Sequence, residues 1–451
     1  MAGPLEDLQP GTWFEAPDSN LAPHMPPSTA DDWSGPASVM SAWSGGAYDS
    51  KRDRLIIWGG GHHDYAGNEL YVFDIATLAW SRLTDRSADV GGDESTGYYP
   101  DGLPRSRHTY DYIQYVPAID RFCSFGGTGL FPSGQGGVSN VDCFDFDTLA
   151  WERKADAMSV SIGAVSAVDP NTGHAWMQGA GNSLPLAEWD PQADVWTPHV
   201  KEPSGWFSYN HTADIDFKRQ KFVAIGGGEV VVWDLTNPAA DPVRLQTTGA
   251  TTIQSAGNPG VAYDPVSDRM VAWNGGADVY TLNLDTGEWE VHPPAASNTV
   301  VPTNAAANGT YGRFRYVASR NVFVVVNAID QDVYFYKLSP GSGVVPDAGM
   351  DTDGQAGAGG SAPDGQAGEG GSAGSGVEAG LGGAGGNPAF DGGPEVGADA
   401  GSTAGSGVAP TGAQDSSGCS CRTTPHPVRW LLMAGLIGPA LLLSRRRRRA
   451  R

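Results

Sequence analysis

Basic side chains are scarce in this chain of 451 residues: 28 Lys and Arg stand against 51 Asp and Glu, and the formal net charge is −23. A protein that neutralises nucleic-acid phosphates needs the opposite balance, so nucleic-acid binding is excluded. Cysteine is also scarce, with four residues, which excludes a scaffold built from disulfides. The chain must therefore fold by burying apolar surface, and its 40% hydrophobic content and 14 tryptophans allow this.

Lysine and arginine are absent from residues 340–418, where 26 residues are glycine and ten are Asp or Glu. The sequence of this segment is loosely repetitive (GQAGAGGSAPDGQAGEGGSAGSG). Such a segment buries too little apolar area to offset the entropy lost on ordering. We predict a disordered Gly/Ala/Asp-rich linker that acts as a stalk. A partly ordered glycine-rich helix or an interaction tract is the alternative.

The last 33 residues, 419–451, combine Cys419, a short apolar run (WLLMAGLIGPALLL) and a terminal arginine cluster. We predict a short transmembrane helix over 428–443, with the arginines on the cytoplasmic side. These three parts in order resemble the MYXO-CTERM sorting domain of myxobacterial surface proteins. The resemblance implies that a sorting protease or transpeptidase acts near Cys419, which then carries a lipid. An uncut tail anchor is the alternative.

The first residues, MAGPLEDLQPG, lack the basic and apolar regions of an export signal. The predicted C-terminal sorting segment implies that the protein is exported. We therefore expect the true signal peptide to lie upstream of the given start, unless export uses another route. The expected location is the cell envelope, with the protein anchored at the outer membrane or cell surface.

Six segments of twelve residues align without gaps in the body of the chain. They begin at Tyr48, Tyr115, Val168, Ile215, Tyr263 and Tyr316 and read YDSKRDRLIIWG, YVPAIDRFCSFG, VDPNTGHAWMQG, IDFKRQKFVAIG, YDPVSDRMVAWN and YVASRNVFVVVN. Each copy starts on an apolar residue, passes through a polar turn and enters an apolar strand that stops at Gly or Asn. The pattern predicts a β-hairpin with a constant turn length.

A second pattern follows four of these hairpins: Phe73, Phe144, Trp189 and Leu282 each stand seven residues before a tryptophan. The text between them (FDIATLAW, FDFDTLAW, WDPQADVW, LNLDTGEW) predicts a third strand, a tight turn and a fourth strand. Four-stranded antiparallel units in series predict a β-propeller. The paired glycines and the aromatic–Trp spacing resemble the kelch repeat, as in the central domain of galactose oxidase. Over residues 11–339 the resemblance implies an all-β, six-bladed propeller.

The sixth copy ends near Leu338 without its tryptophan strand. The segment around Trp13 (GTWFE) reads like the fourth strands elsewhere, so we predict that it forms the outer strand of the sixth blade and closes the ring. The alternative is seven blades, with a divergent one between Trp80 and Tyr115. We favour a long loop there because residues 84–105 are rich in Asp, Gly and Pro.

Kelch propellers bind ligands at the end where the inner strands begin, and the resemblance implies which side chains meet there. The ligand-binding candidates are His62, His63, Asp64, Asn68, Arg107, His108, Tyr110, His211, Asn258 and Arg313, with Trp43, Asn210 and Tyr311 beside them. Arginine forks and aromatic faces suit a carboxylated or polyhydroxylated ligand. The alternative is that these side chains bond neighbouring blades.

No metal site and no cofactor are expected. Adjacent histidines on an extended loop point apart, so His62, His63 and Asp64 form an incomplete ligand set. The copper site of galactose oxidase needs a Cys beside a Tyr and two axial His, and no such set is visible. Cys123 and Cys143 fall on consecutive strands of one blade. They predict either a cross-strand disulfide or two buried thiols.

Two functions remain. The favoured one is a non-enzymatic, monomeric binding protein that is anchored in the membrane and recognises an extracellular glycan or protein, because no catalytic set is visible. The alternative is a carbohydrate-active enzyme that resembles kelch-type sialic acid mutarotases or lyases. In that case Arg107 would hold a carboxylate and His108 or His211 would transfer protons.

Overall fold

The structure, a computed structural model, describes residues 3–62, 64–134, 137–157, 162–179, 186–199 and 209–343. Its strands are β1 (Thr12–Glu15), β2 (Ala47–Asp49), β3 (Arg54–Ile57), β4 (Tyr71–Asp74), β5 (Ala79–Arg82), β6 (Ile113–Val116), β7 (Arg121–Thr128), β8 (Gly137–Asp145), β9 (Ala150–Lys154), β10 (Val165–Val168), β11 (Ala175–Gln178), β12 (Leu186–Asp190), β13 (Val195–Pro198), β14 (His211–Asp216), β15 (Lys221–Gly226), β16 (Glu229–Asp234), β17 (Val243–Arg244), β18 (Thr248–Gly249), β19 (Gly260–Asp264), β20 (Arg269–Trp273), β21 (Val279–Asn283), β22 (Glu288–His292), β23 (Phe314–Val317), β24 (Val322–Val325) and β25 (Tyr334–Lys337). The helices are short: α1 (Ser38–Ser41) and 3₁₀ turns at Ala22–His24, Glu94–Thr96, Pro117–Ile119, Thr251–Ser255 and Tyr311–Arg313.

The strands form a six-bladed β-propeller, as the repeats predict. Blades 1 to 4 take four strands each in chain order, β2–β5, β6–β9, β10–β13 and β14–β17. Blade 5 is β19–β22, with β18 added in parallel outside β22. Blade 6 is β23–β25 completed by β1, in which Trp13 lies opposite Tyr336. The predicted closure by the N-terminal strand is therefore confirmed.

The turn between the first and second strands shares one backbone feature in every blade. Counting from the first residue of each twelve-residue repeat, position 6 has a positive φ. These residues are Asp53 (55°), Asp120 (53°), Gly173 (74°), Gln220 (53°), Asp268 (57°) and Asn321 (52°). Gly, Asn and Asp tolerate this left-handed region best, which explains why they occupy five of the six positions.

The aromatic–Trp pattern also has a structural cause. The two residues that it relates lie directly opposite one another on the third and fourth strands, in the pairs Phe73–Trp80, Phe144–Trp151, Trp189–Trp196 and Leu282–Trp289. In several blades the indole N–H of the fourth-strand tryptophan also donates a hydrogen bond to the segment that connects the preceding blade to its own blade. Trp80 donates to the Ser19 carbonyl at 2.6 Å and Trp196 to the Ala155 carbonyl at 3.0 Å. This tryptophan therefore joins blades as well as filling the core.

The long segment between blades 1 and 2 is a loop rather than a seventh blade, as predicted. It holds the 3₁₀ turn Glu94–Thr96 and an isolated bridge between Tyr98 and Pro104. Arg105 anchors it by donating to four backbone carbonyls, those of Val90, Gly91, Tyr98 and Phe131. Because so many carbonyls converge on one buried guanidinium, this loop packs firmly without strands.

Cys123 on β7 and Cys143 on β8 face each other directly, with their Cα atoms 4.0 Å apart. Their sulfurs are joined in a disulfide, so the structure has the first of the two alternatives that the sequence left open. Both residues are fully buried in the core between blades 2 and 3.

Several predicted features lie outside the described residues. These are His63, nearly all of the linker, Cys419, the transmembrane helix over 428–443 and the arginine cluster. Of the helices that the described ranges contain, none combines the length and the apolar character that a membrane span requires.

Candidate functional site

The two ends of the propeller axis differ in their side chains. We call the end at which the inner strands begin the entry end, and the end with the turns between first and second strands the hairpin end. The ligand-binding residues predicted from the sequence belong to the entry end. The structure separates them into a buried group and a group that meets at the surface.

Two predicted arginines are fully buried. Arg107 donates to the carbonyls of Arg105 and Gly97 at 2.9 Å and lies 3.6 Å from the Asp142 carboxylate. Arg313 donates to the carbonyls of Met40, Gly309 and Thr310, and burial lowers its pKa to about 10. Backbone oxygens surround both guanidinium groups, so these arginines hold neighbouring loops together by hydrogen bonds.

Four further candidates are buried too, namely Asn68, Tyr110, His211 and Asn258. Asn68 donates from its side chain to Ser87 and to the Pro104 carbonyl, both at 3.0 Å, and so fixes the loop that follows blade 1. His211 is fully buried on the innermost strand of blade 4. Asn258 has a φ of 53°, and its backbone links Asn210 to Thr310. These contacts hold blades and loops together at the entry end.

His62, Asp64 and His108 meet at the surface of the entry end. His108 Nε2 lies 3.5 Å from Asp64 Oδ2, and His62 Nδ1 lies 3.9 Å from the same oxygen. The ring of His108 packs against Trp43 and Tyr110, at centroid distances of 5.0 and 5.9 Å. Burial would raise the pKa of Asp64, but hydrogen bonds from His108 and Ser34 outweigh it and lower that pKa.

The hairpin end holds an open cavity of about 330 Å³ on the propeller axis, which we call the hairpin-end cavity. All six residues at position 1 of the repeat line it: Tyr48, Tyr115, Val168, Ile215, Tyr263 and Tyr316. The residues at position 3 line it as well: Ser50, Pro117, Pro170, Phe217, Pro265 and Ala318. Because each blade contributes the same two positions, the cavity follows directly from the repeat.

The residue before position 1 alternates between alanine and a polar residue around the ring. Blades 1, 3 and 5 carry Ala47, Ala167 and Ala262 there, whereas blades 2, 4 and 6 carry Gln114, Asp214 and Arg315. All three polar side chains line the cavity, so we call them its floor. The three alanines are buried in hydrophobic clusters instead.

Arg315 is the cation of this floor. Its Nε donates to the Gly312 carbonyl at 3.0 Å, and its Nη2 donates to Gly46 and to Gln114 Oε1, both at 3.1 Å. Nη1 has no hydrogen-bond partner among the residues that the structure describes. The side chain is 7% exposed, and the exposed part faces the cavity. A desolvated guanidinium with an unused donor is suited to binding an anion or a hydroxyl group.

The carboxylates of the channel accept hydrogen bonds from backbone N–H groups of their own and other blades. Asp214 accepts from the N–H groups of Ile215 and Tyr263 at 2.9 and 2.8 Å, and burial raises its pKa. Asp111 accepts from the N–H of Ala213 at 2.8 Å. Burial raises the pKa of Asp111 to about 8, although the charge of Arg315 partly opposes this. Both groups therefore bind protons more readily than exposed carboxylates do.

The tyrosines that line the cavity are held in place by the hairpin turns. The hydroxyl at position 1 donates to the side chain at position 6 in the pairs Tyr48–Asp53, Tyr115–Asp120, Tyr263–Asp268 and Tyr316–Asn321. Each of the three aspartates also faces an arginine at position 5 of the preceding blade, in the pairs Arg320–Asp53, Arg52–Asp120 and Arg219–Asp268. We call these contacts the rim belt. They orient the tyrosine rings before any ligand arrives.

Sequence reasoning missed the hairpin-end cavity because position 1 was interpreted only as a strand end. Two signals were present. Four of the six position-1 residues are tyrosines, which carry a polar group that a core strand end does not need. The alternation of alanine with Gln114, Asp214 and Arg315 just before them is the second signal. Chemically, the cavity offers aromatic faces, a guanidinium and an amide.

No protein-family model and no curated protein matches this chain. Among solved structures, it is similar to a structural-genomics protein of unknown function from Bacteroides thetaiotaomicron, with a TM-score of 0.43 and 13% sequence identity. The similarity covers 72% of this chain and 75% of the other.

Proposed function

We propose that this protein is an exported, surface-anchored propeller of the kelch type that binds an extracellular glycan in the hairpin-end cavity. The observation that carries the proposal is the composition of this cavity. Tyrosine faces suit the C–H surfaces of sugar rings, and Arg315 and Gln114 suit hydroxyl or carboxylate groups. A volume of about 330 Å³ lies within the usual range for small-molecule sites.

The preorganised rim supports this proposal further. Tyr115 and Tyr263 are hydrogen-bonded to Asp120 and Asp268 at 2.8 and 2.6 Å, so their rings need no reorientation on binding. Binding sites whose side chains are already ordered lose less conformational entropy when the ligand enters. The enzymatic alternative gains no comparable support, because Arg107, which would hold the carboxylate, is fully buried.

The surface location is supported by the MYXO-CTERM-like sequence around Cys419, by the glycine-rich linker and by the Cys123–Cys143 disulfide, which is typical of proteins outside the cytoplasm. In the native host, we expect protease added to intact cells to release the propeller. We also expect Cys419→Ser to abolish lipid labelling and surface display. Surface display of Cys419→Ser at the wild-type level would contradict the proposed sorting.

A glycan array with the full chain tests the ligand proposal. Ala118→Trp places a large side chain at the mouth of the cavity without removing any side chain of the rim belt or the floor. Trp43→Ala is the matched control at the entry end. We expect Ala118→Trp to weaken binding of the array hits more than tenfold and Trp43→Ala to leave it unchanged.

Arg315→Gln tests the chemistry of the floor. We expect it to reduce binding of carboxylated glycans more than binding of neutral ones, since Gln retains a donor but lacks the charge. Glycan binding that survives Ala118→Trp, or that Trp43→Ala abolishes, would contradict the hairpin-end site. If the protein bound other proteins but no glycan, a glycan would be excluded as its ligand. Release of epimerised or cleaved sugar would favour the enzymatic alternative.

A further inference from the structure

Three side chains that are typical metal ligands converge at the entry end. His62 and Asp64 belong to the loop after β3, and His108 precedes β6 in the next blade. Each can present one ligand atom such that all three atoms lie within 4.8 Å of one another. The sequence could not show this, because 44 residues separate Asp64 from His108.

Glycines leave room for both imidazole rings. A Cβ atom at Gly134 would lie 1.4 Å from His62 Cδ2, and one at Gly129 would lie 2.5 Å from His108 Nδ1. The backbone of His62 is also held, since its N–H donates to the Gly129 carbonyl at 2.7 Å and its φ is 49°. Both imidazole rings therefore pack against the loop of residues 129–134.

Asp64 is oriented by a second contact. Ser34 Oγ donates to Asp64 Oδ1 at 2.9 Å, while Asp64 Oδ2 is the oxygen nearest to both histidines. A carboxylate that binds a metal through one oxygen is commonly held by a hydrogen bond to the other. Ser34 thus stands where the outer hydrogen-bond partner of a metal ligand is expected.

We propose that His62, Asp64 and His108 bind one divalent transition-metal ion, Zn²⁺ or a first-row neighbour such as Co²⁺. Two imidazole nitrogens and one carboxylate oxygen match the ligand preference of these ions, whereas Ca²⁺ and Mg²⁺ prefer oxygen alone. Ligands of tetrahedral zinc lie about 3.3 Å apart, given bonds of about 2.0–2.1 Å. The two separations to Asp64 are 3.5 and 3.9 Å, and all three ligand atoms lie within 4.8 Å of one another, so binding an ion would draw the three side chains together.

The site is open to solvent on one side. The side chains of His62 and Asp64 are 28% and 24% exposed, whereas that of His108 is 7% exposed. With three protein ligands, at least one coordination position faces water or an incoming ligand, as in catalytic rather than structural zinc sites. This inference concerns the entry end and does not depend on the glycan proposal for the hairpin end.

The test is titration of the chelator-treated full chain with Zn²⁺ by calorimetry and with Co²⁺ by visible spectroscopy. All variants carry Cys419→Ser and Cys421→Ser, because thiolates also bind these ions. We expect one ion per chain. Asp64→Asn retains an acceptor for Ser34, and His62→Asn suits a positive φ, so both should fold. Each should weaken Zn²⁺ binding by more than about a hundredfold, beyond the usual effect of losing an outer-shell partner.

His24→Gln is the matched control, because His24 is exposed and distant in sequence from the site. Its Zn²⁺ affinity should equal that of the unsubstituted background. Zn²⁺ should also raise the thermal midpoint of the background and of His24→Gln, but not that of the two site variants. The proposal is overturned if less than one tenth of an equivalent binds, or if both site variants bind Zn²⁺ as the control does. In that case the contact between His108 and Asp64 is not part of a metal site.

Discussion

The guanidinium of Arg52 in blade 1 makes two hydrogen bonds, of 2.6 and 2.9 Å, to the carboxylate of Asp120 in blade 2. Tyr115 donates to the same carboxylate from the wall of the hairpin-end cavity. The same arrangement recurs between blades 4 and 5, where Arg219 makes two hydrogen bonds of 2.8 Å to Asp268. One type of contact therefore both joins neighbouring blades and fixes the side chains around the cavity.

Acid should weaken the rim belt. Burial opposes ionisation, but hydrogen bonds from Arg52, Lys51 and Tyr115 hold the pKa of Asp120 well below its usual value of 3.8. A lowered pKa contributes stability that is fully present above the unfolded value and is lost as pH falls through the folded value. We expect Asp120→Asn to destabilise the protein at neutral pH, and the difference from wild type to shrink as pH falls below about 4.

Urea unfolding of both proteins between neutral pH and about pH 2 measures this effect. Asn suits the positive φ at this position and retains an acceptor for Tyr115, so a loss of backbone fit is not expected. Asp156→Asn, at an exposed ion pair with Arg153, is the control and should change stability little at any pH. A difference for Asp120→Asn that stays constant with pH would contradict the charge-based account.

Raising the pH should lower the stability that the buried carboxyl group of Asp111 contributes. Burial raises the pKa of Asp111 to about 8, so the folded state binds a proton that the unfolded state releases above about pH 4. Stability contributed by this group therefore falls as pH rises from about 4 to about 8, by at most about 1.4 kcal/mol per pH unit. Asp111→Asn removes the titration and retains an acceptor for the N–H of Ala213.

We expect the stability of Asp111→Asn, measured by urea unfolding, to exceed that of wild type by a growing margin as pH rises from about 5 to about 8. Any change of the variant's stability with pH that remains comes from other groups. One of them is Asp214, because burial raises its pKa as well. A margin that is independent of pH would mean that Asp111 is already ionised in the folded protein at low pH.

The repeats made the blade number, the hairpins and the closing strand predictable from sequence. Each depends on contacts close along the chain or on a strand pattern, as in the pairing of Phe73 with Trp80. The end-specific chemistry was less predictable. Arg107 and His108 are adjacent in sequence, yet the first is fully buried and the second faces His62. That difference depends on how the loops before β6 pack, which no local pattern encodes.

The hairpin-end cavity shows the opposite case. Its residues are regularly spaced, but their shared position on the axis follows only once six blades are arranged in a ring. Arg315 and Gln114 are 201 residues apart and are in hydrogen-bond contact. Spacing alone cannot distinguish such an axial contact from two solvent-exposed polar side chains.

The disulfide should stabilise blade 2 against unfolding. It closes a loop with a sequence separation of 20 residues, for which the loss of unfolded-state entropy contributes about 3 kcal/mol. We expect the variant with both Cys123→Ala and Cys143→Ala to lose stability of this order in denaturant unfolding. In wild type, mass spectrometry of unfolded, alkylated, unreduced protein should find neither residue alkylated. Alkylation of both would contradict the disulfide.

The closing strand should be essential to the whole ring. Trp13 packs against Tyr336 and Trp273, at centroid distances of 4.8 and 5.9 Å, and donates to the Ala277 carbonyl at 2.9 Å. Trp13→Ala leaves a cavity between blades 5 and 6, and we expect a loss of about 3–5 kcal/mol in urea unfolding. Trp33→Ala is the control, because Trp33 is 82% exposed and its loss should cost less than about 0.5 kcal/mol. Equal effects of the two substitutions would show that the Trp13 side chain does not stabilise the closure of the ring.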